Sequence, residues 1–184
     1  EEEYRLQLSK IRMDRQLLGQ IIQNGVPSGF QNSVIAIANV FVQSNINAFG
    51  KMAMAGCGSY SKVEGFAFLP VTCFTMALTT FVSQNLGAKQ YDRAKKGAWF
   101  GVICSVVIAE LIGFVIYAAA PTFIAAFNSD PEVVRFGVMQ ARTISLFYFV
   151  LAFSHCVAAV LRGSGHASVP MLVMLCVWCV FRVS

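Results

Sequence analysis

The sequence predicts an all-α polytopic membrane protein, a helical bundle whose solvent is lipid. Three observations carry that prediction. Hydrophobic residues make up 57% of the chain and charged residues only 12%, where a soluble domain carries about a quarter. The charges gather in the N-terminal arm, in one central connector and in a few short turns. The apolar runs left between them approach or exceed the roughly 20 residues that a bilayer crossing needs.

Five spans can be drawn in order. A charged amphipathic arm, residues 1–23, precedes a membrane domain expected over 24–184, with a first span at about 25–49. Gly25, Pro27 and Gly29 predict a bent or unwound start to that span, a break tolerated where the freed backbone groups are buried or line water. The second span is expected at about 65–86 and the third at about 98–120, with Pro121 ending it. A fourth follows at about 138–161, and a fifth at about 168–184 is at or below the minimum length. The chain opens on Glu1, Glu2 and Glu3 rather than on a basic segment followed by a short apolar one, so no cleavable signal is expected.

The loops give an orientation. Arg5, Lys10, Arg12 and Arg15 lie in the arm, Lys89, Arg93, Lys95 and Lys96 in the second connector, and Arg162 and His166 in the fourth. These segments fall on one side of an alternating path and are expected to be cytoplasmic. The loop Asn128-Ser129-Asp130-Pro131-Glu132 has no basic residue and is expected outside, while Lys51 and Lys62 dissent mildly. The net charge of +5 is what basic cytoplasmic loops produce and gives no reason to expect nucleic acid as a partner.

Polar residues inside the spans are where membrane-protein function concentrates. Ser28, Asn32, Asn39, Gln43 and Asn47 fall within a wedge of about 100° around the first helix. Two readings stay open for this row: one wall of an aqueous, substrate-lined cavity, or amides that tie neighbouring helices together. Glu110, near the middle of the third span, is either a proton-linked or ion-linked group or a neutral acid in a helix contact, since an ionised carboxylate there costs about 2.5–3.5 kcal/mol. Glu64 beside Lys62 reads as an interfacial charge at the mouth of the second span. Arg142 snorkels outward or meets a substrate, and His155 reads as a packing residue.

Enzyme chemistry finds no residues to stand on. Cys176 and Cys179 have redox-motif spacing without the strand and helix that such a motif needs. Neither a zinc-ligand cluster, nor a phosphate-binding glycine loop, nor a nucleophile elbow is present. No cofactor is expected beyond a coupling ion.

The connector Gln84-Asn85-Leu86-Gly87-Ala88 leads into Arg93-Ala94 and Gly97. Gln84 and Asn85 are expected to cap the second helix, with Gly87 supplying a left-handed turn. Arg93, Lys95 and Lys96 are expected at the lipid phosphates. Other landmarks are Gly25-Val26-Pro27-Ser28-Gly29, Ala67-Phe68-Leu69-Pro70, Leu161-Arg162-Gly163-Ser164-Gly165-His166 and Val169-Pro170-Met171.

In that order and at those separations, the pieces resemble the C-terminal half of a multidrug and toxic compound extrusion (MATE) transporter. The resemblance runs from Gly25 to Arg182. It implies one lobe of a twelve-helix protein, with these spans as the seventh to eleventh and residues 1–23 as the end of the cytoplasmic linker. On this reading the chain is a fragment, and its first partner is the missing N-terminal lobe. The implied activity is export of cationic or amphipathic drug-like molecules by alternating access, driven by sodium or proton antiport. The implied location is a bacterial plasma membrane, with the arm cytoplasmic.

One departure is informative. A branch of the family carries acidic coupling residues in its seventh and tenth spans. Here the first span has none, with Ile35 near the expected place, and the apolar part of the fourth has none either. Coupling through an acid in the other lobe fits better. Two alternatives stand beside efflux: a lipid-linked oligosaccharide flippase of the same superfamily, which would need more basic residues than Arg142 within the spans, and a non-transporting membrane subunit.

Overall fold

The computed structural model describes residues 15–181. The described residues form seven helices: α1 (Arg15–Ala48), α2 (Lys51–Ala67), α3 (Leu69–Gly87), α4 (Tyr91–Ala125), α5 (Pro131–Ser145), α6 (Tyr148–Gly163) and α7 (Ser168–Phe181). Most of the expected arm, residues 1–14, and the end of the expected fifth span, 182–184, lie outside the described residues.

Helices extend well past the apolar runs that predicted them. Helix α4 reaches from Tyr91 to Ala125 and carries Pro121 inside it, so this proline does not end the third helix. Helix α1 likewise continues through Pro27 from Arg15 to Ala48 rather than unwinding there. Hydropathy marks the lipid-facing part of a helix, while backbone hydrogen bonding in lipid favours prolonging it.

The larger correction concerns two expected single spans. Helices α2 and α3 meet at Phe68 with a bend of 41°, and α5 and α6 meet at Leu146 and Phe147 with a bend of 56°. Among the described residues α4 alone is long and apolar enough to cross a membrane by itself, and there are up to three such units if each bent pair is one span. The first break has a local cause. Pro70 occupies the first turn of α3, where its missing N–H costs nothing, whereas a continuous helix would drive its ring against a carbonyl one turn back. At the second break the Ser145 carbonyl lies on Gly113 of α4, so close that a Cβ on the glycine would sit 2.6 Å from it.

The breaks fall midway: residue 69 is the centre of Lys51–Gly87 and residue 147 the centre of Pro131–Gly163. Helices α3, α4 and α6 pack together on one side, α2 packs on α5 and α4, and α1 pairs with α7 and α2. The core is built mostly of small side chains, including Ala109, Ala120, Ala141 and Ala152 around Tyr60 and Tyr148. Large apolar residues such as Phe66, Phe100 and Phe114 are exposed. That inversion suits lipid, where helices associate through close packing of small residues rather than through expulsion of water.

Helix α5 starts on a built cap. The Asp130 carboxylate accepts from the Glu132 backbone N–H at 2.9 Å, Pro131 takes the first helical position, and Glu132 lies in the first turn. Side-chain acceptor, proline and first-turn acid are the expected start signals of a helix.

Candidate functional site

Helix α1 is exposed over most of its circumference, with Phe30, Ile37 and Phe41 exposed as well. Asn32, Asn39, Gln43 and Asn47 are all exposed on α1, and the Gln43 Nε2 donates to the Asn47 Oδ1 at 3.0 Å. This bond runs along the helix and ties no neighbour. The amide that does turn inward is Gln31, which is 5% exposed and was absent from the predicted row. A hollow of about 650 Å³ between α2 and α4 lies elsewhere, walled by Val63, Phe66, Leu111, Ile112, Phe123 and Phe127. It suits an apolar chain and contributes nothing to polar recognition.

Around the connector the structure replaces one expectation. Gly87 is the last residue of α3, and its backbone is not left-handed. The left-handed residue is Lys89, at φ 58°. The Gln90 N–H donates to the Asn85 carbonyl at 2.8 Å and the Lys89 N–H to that of Leu86 at 3.0 Å. This 6→1 and 5→2 pair is a Schellman closure, with its turn residue two places later than the glycine. The Gln84 carbonyl accepts from the Ala88 N–H, while the Asn85 side chain caps nothing further and donates to the Phe81 carbonyl at 2.7 Å. Arg93 is exposed and donates to the Gln90 Oε1 at 3.4 Å.

The same closure recurs after α6. His166 N–H donates to the Leu161 carbonyl and Gly165 N–H to that of Arg162, both at 3.0 Å, with Gly165 at φ 83°. Arg162 is half-buried in the last turn. Gly163 allows α6 onto α3, since a Cβ there would lie 2.7 Å from the Thr79 carbonyl.

Of the intramembrane charges, Glu110 is exposed on α4 among Val107, Leu111 and Phe114, which are exposed too. On the same face Tyr117 receives Arg142, whose guanidinium carbon is 5.4 Å from the ring centroid. His155 is half-buried and meets Phe68 edge to face at 5.2 Å, a packing contact at the first helix break.

The sequence reading passed over two tyrosines. Tyr60 on α2 and Tyr148 on α6 are 0% and 3% exposed, and their hydroxyls lie 3.1 Å apart. The Tyr60 hydroxyl also donates to the Glu64 Oε1 at 3.5 Å. Glu64, expected as an interfacial charge, thus has a hydroxyl partner on its own helix. It is half-buried on α2, close to the break midway along the bent pair. The signal was available, since a hydroxyl within an apolar run needs a partner, but Phe147 and Phe149 disguise Tyr148 as one more aromatic.

Helices that bury small residues, expose large apolar ones and break at mid-length make this an all-helical integral membrane protein. More narrowly, the chain belongs to the MatE family, whose model matches residues 27–184. It is 22% identical to "Probable multidrug resistance protein YoeA" of Bacillus subtilis, over 90% of this chain and 36% of that protein. It is 26% identical to "Probable multidrug resistance protein NorM" of Thermotoga maritima, over 86% of this chain and 34% of the other. The fold matches a MOP superfamily transporter from Pyrococcus furiosus with a TM-score of 0.84 at 20% identity, covering 89% of this chain and 36% of that one. The chain thus spans about a third of the length of the curated relatives it matches.

Proposed function

We propose that this chain is part of the C-terminal half of a secondary active multidrug exporter, which moves amphipathic or cationic molecules by alternating access. Inward flow of sodium or protons drives it. The observation that carries the proposal is the row Asn32, Asn39, Gln43 and Asn47, exposed along a membrane helix without tying it to a neighbour. Amides facing lipid without bonds for all their donors and acceptors are costly, and Gln43 and Asn47 satisfy only part of each other, so the row belongs against water, substrate or a second lobe. Membership of the MatE family and the names of the relatives support the same reading.

In this proposal the amides line the substrate path and a second, N-terminal lobe supplies the facing wall. The arm before α1 is cytoplasmic and the membrane is a bacterial plasma membrane. Arg93, Lys95 and Lys96 hold the connector at the lipid phosphates. Glu110 is one candidate for the ion-linked carboxylate of this half.

The test replaces Asn39 and Gln43 together by leucine in the complete protein. Both side chains are exposed, so folding and membrane yield are expected to stay normal while efflux falls. Undiminished efflux from the normally folded variant would remove the amides from the substrate path.

A further inference from the structure

We infer that the groove between α4 and α6, at the end of the bundle that carries the α3–α4 connector, holds one anionic phospholipid. Its acyl chain lies along the groove and its phosphate meets Lys95. The site is independent of the efflux reading, and it is narrower than a general attraction of the basic connector to lipid phosphates.

The groove has a volume of about 330 Å³ and is walled by Trp99 and Val102 of α4 and by Phe153, Val157, Val160 and Leu161 of α6. From Phe153 to Leu161 it runs about 12 Å at the helical rise per residue, close to one leaflet of a hydrocarbon core roughly 30 Å thick. Trp99 and Phe153 are exposed, so the groove opens sideways to its surroundings.

A cation stands at one end of it. Tyr91, Lys95, Ala98, Trp99 and Val102 fall within a wedge of about 100° around α4. Lys95 lies one turn before Trp99, near the centre of that wedge, and is exposed. Helical side chains lean toward the N-terminus of their helix, so the lysine reaches past the groove toward the connector. The apolar stretch of α4 begins at Ala98 and the charges precede it, which sets lipid phosphates at the level of Lys95. Tyr91 and the Trp99 indole N–H add donors on the same face, and both residue types gather at membrane interfaces. On α6, Ser164 and His166 follow Leu161, with the Ser164 Oγ 3.3 Å from the His166 Nδ1.

The neighbouring charges favour an anion and single out Lys95. Lys89, Arg93 and Lys96 are exposed in the same segment, against one first-turn acid, Asp92, at the edge of the wedge. Lys96 lies about 100° around α4 from Lys95 and Arg93 lies farther round, so neither stands over the groove. Arg162 is half-buried and on a different face of α6 from Val157 and Leu161. A zwitterionic headgroup brings its own cation beside the phosphate, whereas an anionic one leaves the phosphate to these residues. Helix α1 packs on α7 and α2, so the amide row belongs to another part of the bundle.

The test uses the complete protein with Trp99 as its single tryptophan, in vesicles mixing phosphatidylcholine and phosphatidylglycerol. One lipid or the other carries bromine on its acyl chain, which quenches a nearby indole. Quenching is expected to give phosphatidylglycerol about five times the relative affinity of phosphatidylcholine, the factor one basic residue contributes at a membrane surface. K95Q should abolish that preference and K96Q should keep it. A98F fills the groove and should weaken quenching by both lipids. Equal quenching by the two lipids overturns the site, as does a preference lost as fully in K96Q as in K95Q, the mark of a diffuse surface field. Undiminished quenching in A98F removes the acyl chain from the groove, and absence of quenching means that another protein segment covers Trp99. If the single-tryptophan protein or A98F fails to fold, native mass spectrometry of the complete K95Q and K96Q proteins decides. K95Q should shed a retained phosphatidylglycerol that K96Q keeps, and equal retention overturns the site. Neither readout involves transport, so the lipid site and the efflux reading fail separately.

Discussion

Gly56 of α2 and Gly137 of α5 meet backbone to backbone. A Cβ built on Gly56 would lie 2.9 Å from the Gly137 nitrogen and 2.7 Å from the Val133 carbonyl, and one built on Gly137 would lie 3.0 Å from the Gly56 carbonyl. The first halves of both bent pairs, α2 and α5, are joined through this contact, because α2 packs chiefly on α5.

Gly56→Ala should therefore destabilise the protein by about 1–3 kcal/mol, since the obstructing atoms are backbone and cannot rotate aside. Gly87→Ala is the matched control. Nothing lies within 4 Å of its Cβ position and its backbone is helical, so it should stabilise by about 0.5–1 kcal/mol. Thermal unfolding of both variants in detergent checks the pair, and equal melting temperatures would refute the close crossing.

Lys89→Gly tests the turn after α3. The lysine holds a left-handed backbone at φ 58°, which costs a residue with a Cβ about 1 kcal/mol. The substitution should raise stability by that amount, while Gly165→Ala, at the equivalent place after α6, should lower it similarly. If Lys89→Gly lowers the melting temperature, the turn is held by the lysine side chain instead.

Ser105 is fully buried on α4 and its Oγ lacks a hydrogen-bond partner of adequate geometry. The neighbouring Cys156 thiol is only a weak partner. Ser105→Ala should thus be neutral or stabilising by about 1 kcal/mol. A loss of stability in unfolding measurements would show that the hydroxyl is satisfied after all.

Arg93→Glu, Lys95→Glu and Lys96→Glu together reverse the basic face of the α3–α4 connector. The expected outcome is reduced insertion or an altered topology, read by labelling single cysteines from either side of the membrane. An unchanged topology with a changed substrate range would give the segment a role in recognition.

Much of this was legible in the chain itself. The apolar runs mark α4 and α6, the start signals of α5 stand at Asp130-Pro131-Glu132 within the stretch expected as a loop, and the amide spacing sets Asn32, Asn39, Gln43 and Asn47 along one side of α1. Each of these is local: a period, a cap or a hydropathy, decided by residues within a few turns of one another.

What lies far apart in sequence could be decided only by the packed bundle. The Tyr60–Tyr148 bond joins residues 88 positions apart, and no spacing rule relates them. Polar residues in α2 hid the first half of the bent pair, so Glu64 read as an edge charge until the continuation from Lys51 put it inside that pair, near its break. The second break depends on the Ser145 carbonyl settling on Gly113, a vacancy on another helix. The sequence by itself determined which segments become helices in lipid, because backbone satisfaction and hydropathy act locally. Which helices touch, and which buried hydroxyl finds which acceptor, was decided by tertiary packing, where close approach between distant glycines and alanines sets the geometry.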